Sequence, residues 1–223
     1  MTMQPITKQP ITKQPIGRKR RWRPALLATL LALAMAGGAG TLRADGSPLQ
    51  STQEFVNQAL KILADKQTPV ADRGRQLHQL IEPRFDFPDM ARAALGRHWR
   101  ALTPAQRQDF TGVFKGFIET AYLSKIGDYA GQSVEFIKQS SLGAGYAQVT
   151  SNIVQSGRAA IPVNYLLEQT DGSWKVYDVT VDNISIIQNY QNQFNRVINE
   201  NGFDKLLADL KAKQQQLGAA SAG

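Results

Sequence analysis

The chain has 223 residues, no cysteine and a formal charge of +8. The whole excess lies in residues 1–44, which carry eight basic residues and no acidic one; the remainder balances 18 basic against 18 acidic residues. A neutral body offers no field for nucleic acid, and the absence of cysteine excludes a disulfide framework, thiolate metal sites and cysteine nucleophiles.

The N-terminal stretch reads as an export signal. Arg18–Arg23 (RKRRWR) is a positive n-region, Pro24–Ala36 (PALLATLLALAMA) an apolar h-region, and Ala34–Ala36 meets the small-residue cleavage rule. The apolar run falls short of the roughly 20 residues that a spanning helix requires. Before it, Gln4–Gly17 repeats QPITK and is polar and Pro-punctuated, the composition of a disordered extension. These features predict residues 1–44 as signal and extension, 45–217 as one domain, 218–223 as a flexible tail, and the periplasm as destination.

The first half of the body reads as helices. Ser51 with Glu54 forms a capping box ahead of Phe55, Val56, Ala59, Leu60 and Leu63 at helical spacing. A second helix carries Leu77, Leu80 and Ile81 and stops at Pro83. A third, over Phe85–Gly96, has Pro88 near its first turn and Gly96 as a C-terminal cap. Thr103 with Gln106 caps the longest helix, about 103–128, whose stripe holds Phe110, Phe114, Phe117 and Tyr122.

The period then changes from helical to alternating. Four strands follow, over 132–141, 146–155, 159–169 and 173–181, joined by turn-forming stretches. Ala147, Val149, Ser151 and Ile153 share one face of the second strand; Ile161, Val163, Tyr165 and Leu167 share one face of the third. In the fourth, simple alternation groups Tyr177 with Val179 and Val181. Short connections predict an antiparallel meander. Two helices close the chain, one over about 187–200 with an uncharged amide face, read as solvent side or docking surface, and one after Gly202. Helices, a four-stranded twisted antiparallel sheet and helices again make an α+β fold with room for an apolar pocket between layers.

Sites of chemistry are scarce. There is no phosphate-binding Gly loop, no His-Glu-x-x-His and no Gly-x-Ser-x-Gly. His78 and His98 are isolated, the pattern of structural histidines, and no metal or cofactor is expected. Asp178 and Asp182 are the candidate general bases if the chain is an isomerase or hydrolase; on a strand flank they read more simply as surface charges.

Three stretches, Leu95–Tyr122 (LGRHWRALTPAQ and onward), Trp174–Phe194 (WKVYDVTVDNISIIQNYQNQF) and Asn201–Lys213, resemble the MlaC, or toluene-tolerance, family. The resemblance covers roughly residues 50–215. It implies a periplasmic lipid-binding protein with an NTF2-like sheet-and-helix part and a deep acyl-chain pocket. It implies a monomer with a phospholipid ligand, an outer-membrane lipoprotein or transporter complex at one end of its route, and an inner-membrane ABC transporter with an MCE-domain ring at the other. FDFPDMARAALGRHW also resembles the branch associated with hopanoid biosynthesis, which makes a hopanoid the alternative cargo. Where the family reads Gly-Ile-Ser, this chain has Asn183-Ile184-Ser185; where it often reads Asn-Tyr-Arg, this chain has Asn189-Tyr190-Gln191. With that resemblance, the pocket walls expected are Phe87, Met90, Phe114, Phe117 and Tyr122 from helices, Val149, Ile153, Ile161, Val163 and Tyr165 from strands, and Tyr177, Val179, Ile184, Ile187 and Tyr190 from the exit segment.

Overall fold

The computed structural model describes residues 46–123 and 128–221. The expected signal and extension therefore lie outside the described residues. The first helix, α1 (Pro48–Ala64), begins earlier than the Ser51 box suggests. Ser47 accepts from the Gln50 N–H through Oγ (3.2 Å), and Pro48 occupies the first helical position, where its missing N–H costs nothing. Ser51 is instead buried inside the helix. After α2 (Val70–Ile81), Pro83 enforces a 3₁₀ turn over Glu82–Arg84. Next, α3 (Phe87–Leu95) is capped by Asp86, which accepts from the Asp89 N–H, and ends at Gly96 with φ +53°. A 3₁₀ segment (Gly96–Ala101) leads into α4 (Pro104–Leu123). There the reciprocal box forms: the Thr103 N–H donates to Gln106 Oε1 at 2.9 Å, and the Gln106 N–H to Thr103 Oγ1 at 3.2 Å.

Five strands follow in sheet order, β1 (Ser133–Gly143), β2 (Tyr146–Val154), β3 (Ile161–Thr170), β4 (Ser173–Val181) and β5 (Ile184–Ser185), each antiparallel to the next. The fifth was not expected. It is a two-residue continuation made possible by Asp182 (φ +49°) and Asn183 (φ +62°), both in the left-handed region that a two-residue hairpin turn needs. Asn183 supplies that conformation at modest cost because Asn tolerates it.

The inner face carries Ala147, Val149, Ser151 and Ile153 from β2 and Val163, Tyr165 and Leu167 from β3, all buried. On β4 the grouping of Tyr177 with Val179 and Val181 is corrected. Leu166 lies opposite Asp178 while Leu167 lies opposite Val176, so Tyr177 is the extra residue of a β-bulge. The bulge resets the alternation: Val176 joins Val179 and Val181 inside, and Tyr177 meets Tyr146 edge-on, with ring centroids 5.9 Å apart. Helices α1, α3 and α4 contribute to the same buried core as this inner face: Phe55, Phe85 and Phe87 form one aromatic run, and Phe110 stacks on Phe114 at 5.8 Å.

The last helices are α5 (Ile186–Asn201) and α6 (Phe203–Ser221). Helix α6 continues past residue 217, where the sequence suggests a tail. Part of the α5 amide face is not a solvent side. Gln191 donates from Nε2 to the Ala93 carbonyl (2.8 Å), Asn195 Oδ1 lies 2.9 Å from His98 Nε2, and Asn199 Oδ1 accepts from Arg97 (3.2 Å). Amides suit this seam because they satisfy the exposed carbonyl of a helix end without burying a charge. Gly96 lies beneath it with φ +53°, a conformation that other residues rarely adopt, and a Cβ there would also press on the Gln191 amide, 2.6 Å away.

Candidate functional site

Three helices, α4, α5 and α6, frame an apolar cleft of about 910 Å³. Helix α4 contributes Phe117, Ala121 and Tyr122, and α5 contributes Tyr190, Phe194 and Val197. Helix α6 contributes Leu206, Leu210 and Leu217, spaced to share one side of a helix, with Ala212 at the exposed edge. The charged and amide side chains of the lining, Gln193, Asp209, Lys213 and Gln216, are all exposed and form its rim, while the only polar atoms that the wall residues named above add are the hydroxyls of Tyr122 and Tyr190. Asp209 is paired with Lys205, and Lys213 Nζ donates to Gln216 Oε1 at 2.9 Å. The volume lies within the range of about 300–1,000 Å³ usual for ligand sites, with the usual dry wall and few polar groups.

Aromatic geometry fixes the wall. The Tyr190 ring stands edge-on to Phe117 (5.5 Å) and Phe114 (6.4 Å) and lies tilted on Phe194 (5.5 Å). Its hydroxyl interacts with that of Tyr122, and burial raises the pKa of both phenols, that of Tyr122 well above its ordinary value. Both groups therefore stay protonated.

The N-terminus of α5 is held by Asp178. Its Oδ2 accepts from Ser185 Oγ (2.5 Å), and its Oδ1 accepts from the Ile187 N–H (3.2 Å) and the Val179 N–H (2.7 Å). Ser185 in turn caps the helix by accepting from the Gln188 N–H at 2.9 Å. A carboxylate here answers both the unpaired N–H groups and the positive end of the helix dipole. Burial nevertheless pushes Asp178 above the ordinary aspartate range, with these hydrogen bonds pulling the other way. The reading of Asp178 as a surface charge is thus corrected: it is 8% exposed. Its oxygens are occupied by the helix start, and it is absent from the cleft lining. Asp182 sits exposed in the turn.

The structure brings Phe117, Tyr122 and Tyr190 to the cleft. Phe87, Met90, Phe114, Val149, Ile153, Val163, Tyr165, Val179 and Ile187 are buried in the core, with Ile161 packed against it. Tyr177 lies on the outer face of the sheet, and Ile184, on β5, is 56% exposed. Sequence reasoning did not single out Phe194, Val197, Leu206, Leu210 and Leu217 as site residues. Their signal was present: two consecutive helices carry apolar stripes that require a common partner surface. Among the described residues no helix is long and apolar enough to cross a membrane, and no group of three His, Cys, Asp or Glu is placed to hold a metal ion.

A sheet-and-helix protein with a dry, polar-rimmed cleft belongs to the class that holds an apolar ligand by shape. Comparison narrows the class. The family model described as MlaC protein matches residues 53–212, and the chain belongs to that family. It is 20% identical over 205 residues to the intermembrane phospholipid transport system binding protein MlaC of Haemophilus influenzae, covering 88% of this chain and 94% of that protein. It is 27% identical over 129 residues to the toluene tolerance protein ttg2D of Pseudomonas putida, a match spanning 57% of this chain and 60% of that one. Among solved structures it resembles the phospholipid-binding protein from Ralstonia solanacearum in complex with a phospholipid. The TM-score is 0.68 and the identity 26%, over 78% of this chain and 99% of the other.

Proposed function

We propose that the chain is a periplasmic phospholipid carrier that holds acyl chains in the cleft between α4, α5 and α6 and moves lipid between outer-membrane and inner-membrane machinery. The observation that carries the reading is the 910 Å³ apolar cleft with its polar rim, in a chain of the MlaC family. Phe117, Tyr122, Tyr190 and Phe194 touch the chains, and the buried strand residues Val149, Val163, Tyr165 and Val179 stand behind this wall. The N-terminal RKRRWR and the apolar run after it support export.

The energetics suit exchange. Each buried CH₂ is worth about 0.8 kcal/mol, so one sixteen-carbon chain gains on the order of 12 kcal/mol, whether in a bilayer or in an equally dry cleft. Transfer between the two is then close to neutral, and small differences set its direction. The test is solvent extraction and mass spectrometry of protein purified from the periplasm of its own organism. Bound phospholipid is expected. A hopanoid in its place would change the cargo, and absence of any lipid would sink the carrier reading.

A further inference from the structure

Two of the residues that line the apolar cleft, Tyr122 and Tyr190, carry a group that hydrocarbon does not explain, the phenol hydroxyl. Phenylalanine would give the same ring contacts with Phe114, Phe117 and Phe194 without bringing a polar atom into a dry wall. Two phenols carry two O–H protons, and their mutual contact can use one. Both residues line the cleft, and among the described residues neither hydroxyl has a further hydrogen-bond partner, which leaves one O–H without an acceptor in the protein. Leaving such a donor unmet in a dry wall is unfavourable.

We propose that the Tyr122–Tyr190 hydroxyl pair recognises the ester carbonyl of a bound lipid and so selects ester-linked over ether-linked chains. The inference rests on the carrier reading. A lipid offers two kinds of acceptor, phosphate oxygens and ester carbonyls. The phosphate is charged and strongly hydrated, and it belongs at the exposed rim beside Lys213. The carbonyls are neutral, lie at the head of the hydrocarbon and can enter a dry cleft if a donor meets them. The ring of Tyr190 is held on three sides by Phe114, Phe117 and Phe194, which gives its hydroxyl a fixed position.

The experiment uses delipidated protein and two kinds of vesicle, one of diacyl phosphatidylethanolamine and one of its dialkyl ether analogue with the same chain lengths. Bound lipid per protein is read by mass spectrometry. The wild type should load the diester over the diether by about three- to tenfold, the value of one well-placed hydrogen bond. Tyr122→Phe/Tyr190→Phe should bring that ratio close to one. Circular dichroism checks its fold, and the single Tyr190→Phe variant gives the same reading if the double variant is unstable. Equal loading by the wild type, or a preference that survives in the phenylalanine variants, overturns the proposal while leaving the carrier reading intact. Loading of neither lipid overturns both.

Discussion

The inner face of the sheet and the wall between α4, α5 and α6 are made of the same kinds of side chain, yet one is closed and the other open. On the sheet, Val149, Val163 and Tyr165 are fully buried, because a twisted face with alternating inward residues meets the helices that cover it without a gap. Between the three helices, Phe117, Tyr122 and Tyr190 instead border a cleft of about 910 Å³. Apolar content therefore does not distinguish core from site; whether a neighbouring element closes over the face does.

Substitutions can break or sharpen this contrast. Tyr165→Ala should have the largest effect, a loss of about 3–5 kcal/mol in urea unfolding, because a full core ring is replaced by a cavity. A midpoint that barely moves would place Tyr165 in an open site. Asp178→Ala should cost about 1–3 kcal/mol by leaving the Ser185 hydroxyl and the Ile187 N–H without their acceptor. Because α5 is a wall of the cleft, lipid load should fall with it. Val197→Trp tests the open side. It should lower lipid load several-fold while changing stability by less than about 1 kcal/mol, since the added ring enters space rather than packed atoms. The same insertion at Val163 should instead destabilise by about 1–3 kcal/mol or more through overpacking. Gln191→Glu should cost on the order of 1 kcal/mol, because a carboxylate would face the Ala93 carbonyl that now receives an N–H.

The smallest effect concerns pH. Burial raises the pKa of Glu119 on α4 above its ordinary 4.5, against the pull of His78, whose Nδ1 lies 3.2 Å away, and of Lys115. A carboxyl raised on folding contributes stability that is fully present below pH 4.5 and is lost as the pH rises through its folded value. Glu119→Gln should therefore gain on the wild type between acid and neutral pH in thermal unfolding. A constant difference would show that His78 and Lys115 cancel the burial.

Much of the frame was legible because local signals acted alone. The Thr103–Gln106 box, the stop at Pro83, the Gly96 cap and the alternation of β2 and β3 each follow from a few neighbouring residues. The bulge at Tyr177 was not legible, since no Gly or Pro marks it and it exists only through pairing with Leu166 and Leu167. Its consequence is a whole-residue error, with Val176 inside where Tyr177 was expected. The amide seam of α5 was hidden for a similar reason: its partners, Ala93, Arg97 and His98, lie about a hundred residues away in sequence. Of the expected walls, those on α4 and α5 could be read from helical stripes, but no pattern within one element tells whether a neighbouring helix closes over it.

The Asp182–Asn183 turn has a mechanical consequence. It is the pivot from which α5 departs, and α5 has 16 residues, a lever arm of about 24 Å. A rotation of about 10° at the pivot would sweep the far end through about 4 Å, comparable to the width of an acyl chain. The turn and the hydrogen bonds of Asp178 to Ser185 and Ile187 thus fix the direction in which α5 leaves the sheet, and with it where Tyr190, Phe194 and Val197 stand in the cleft wall.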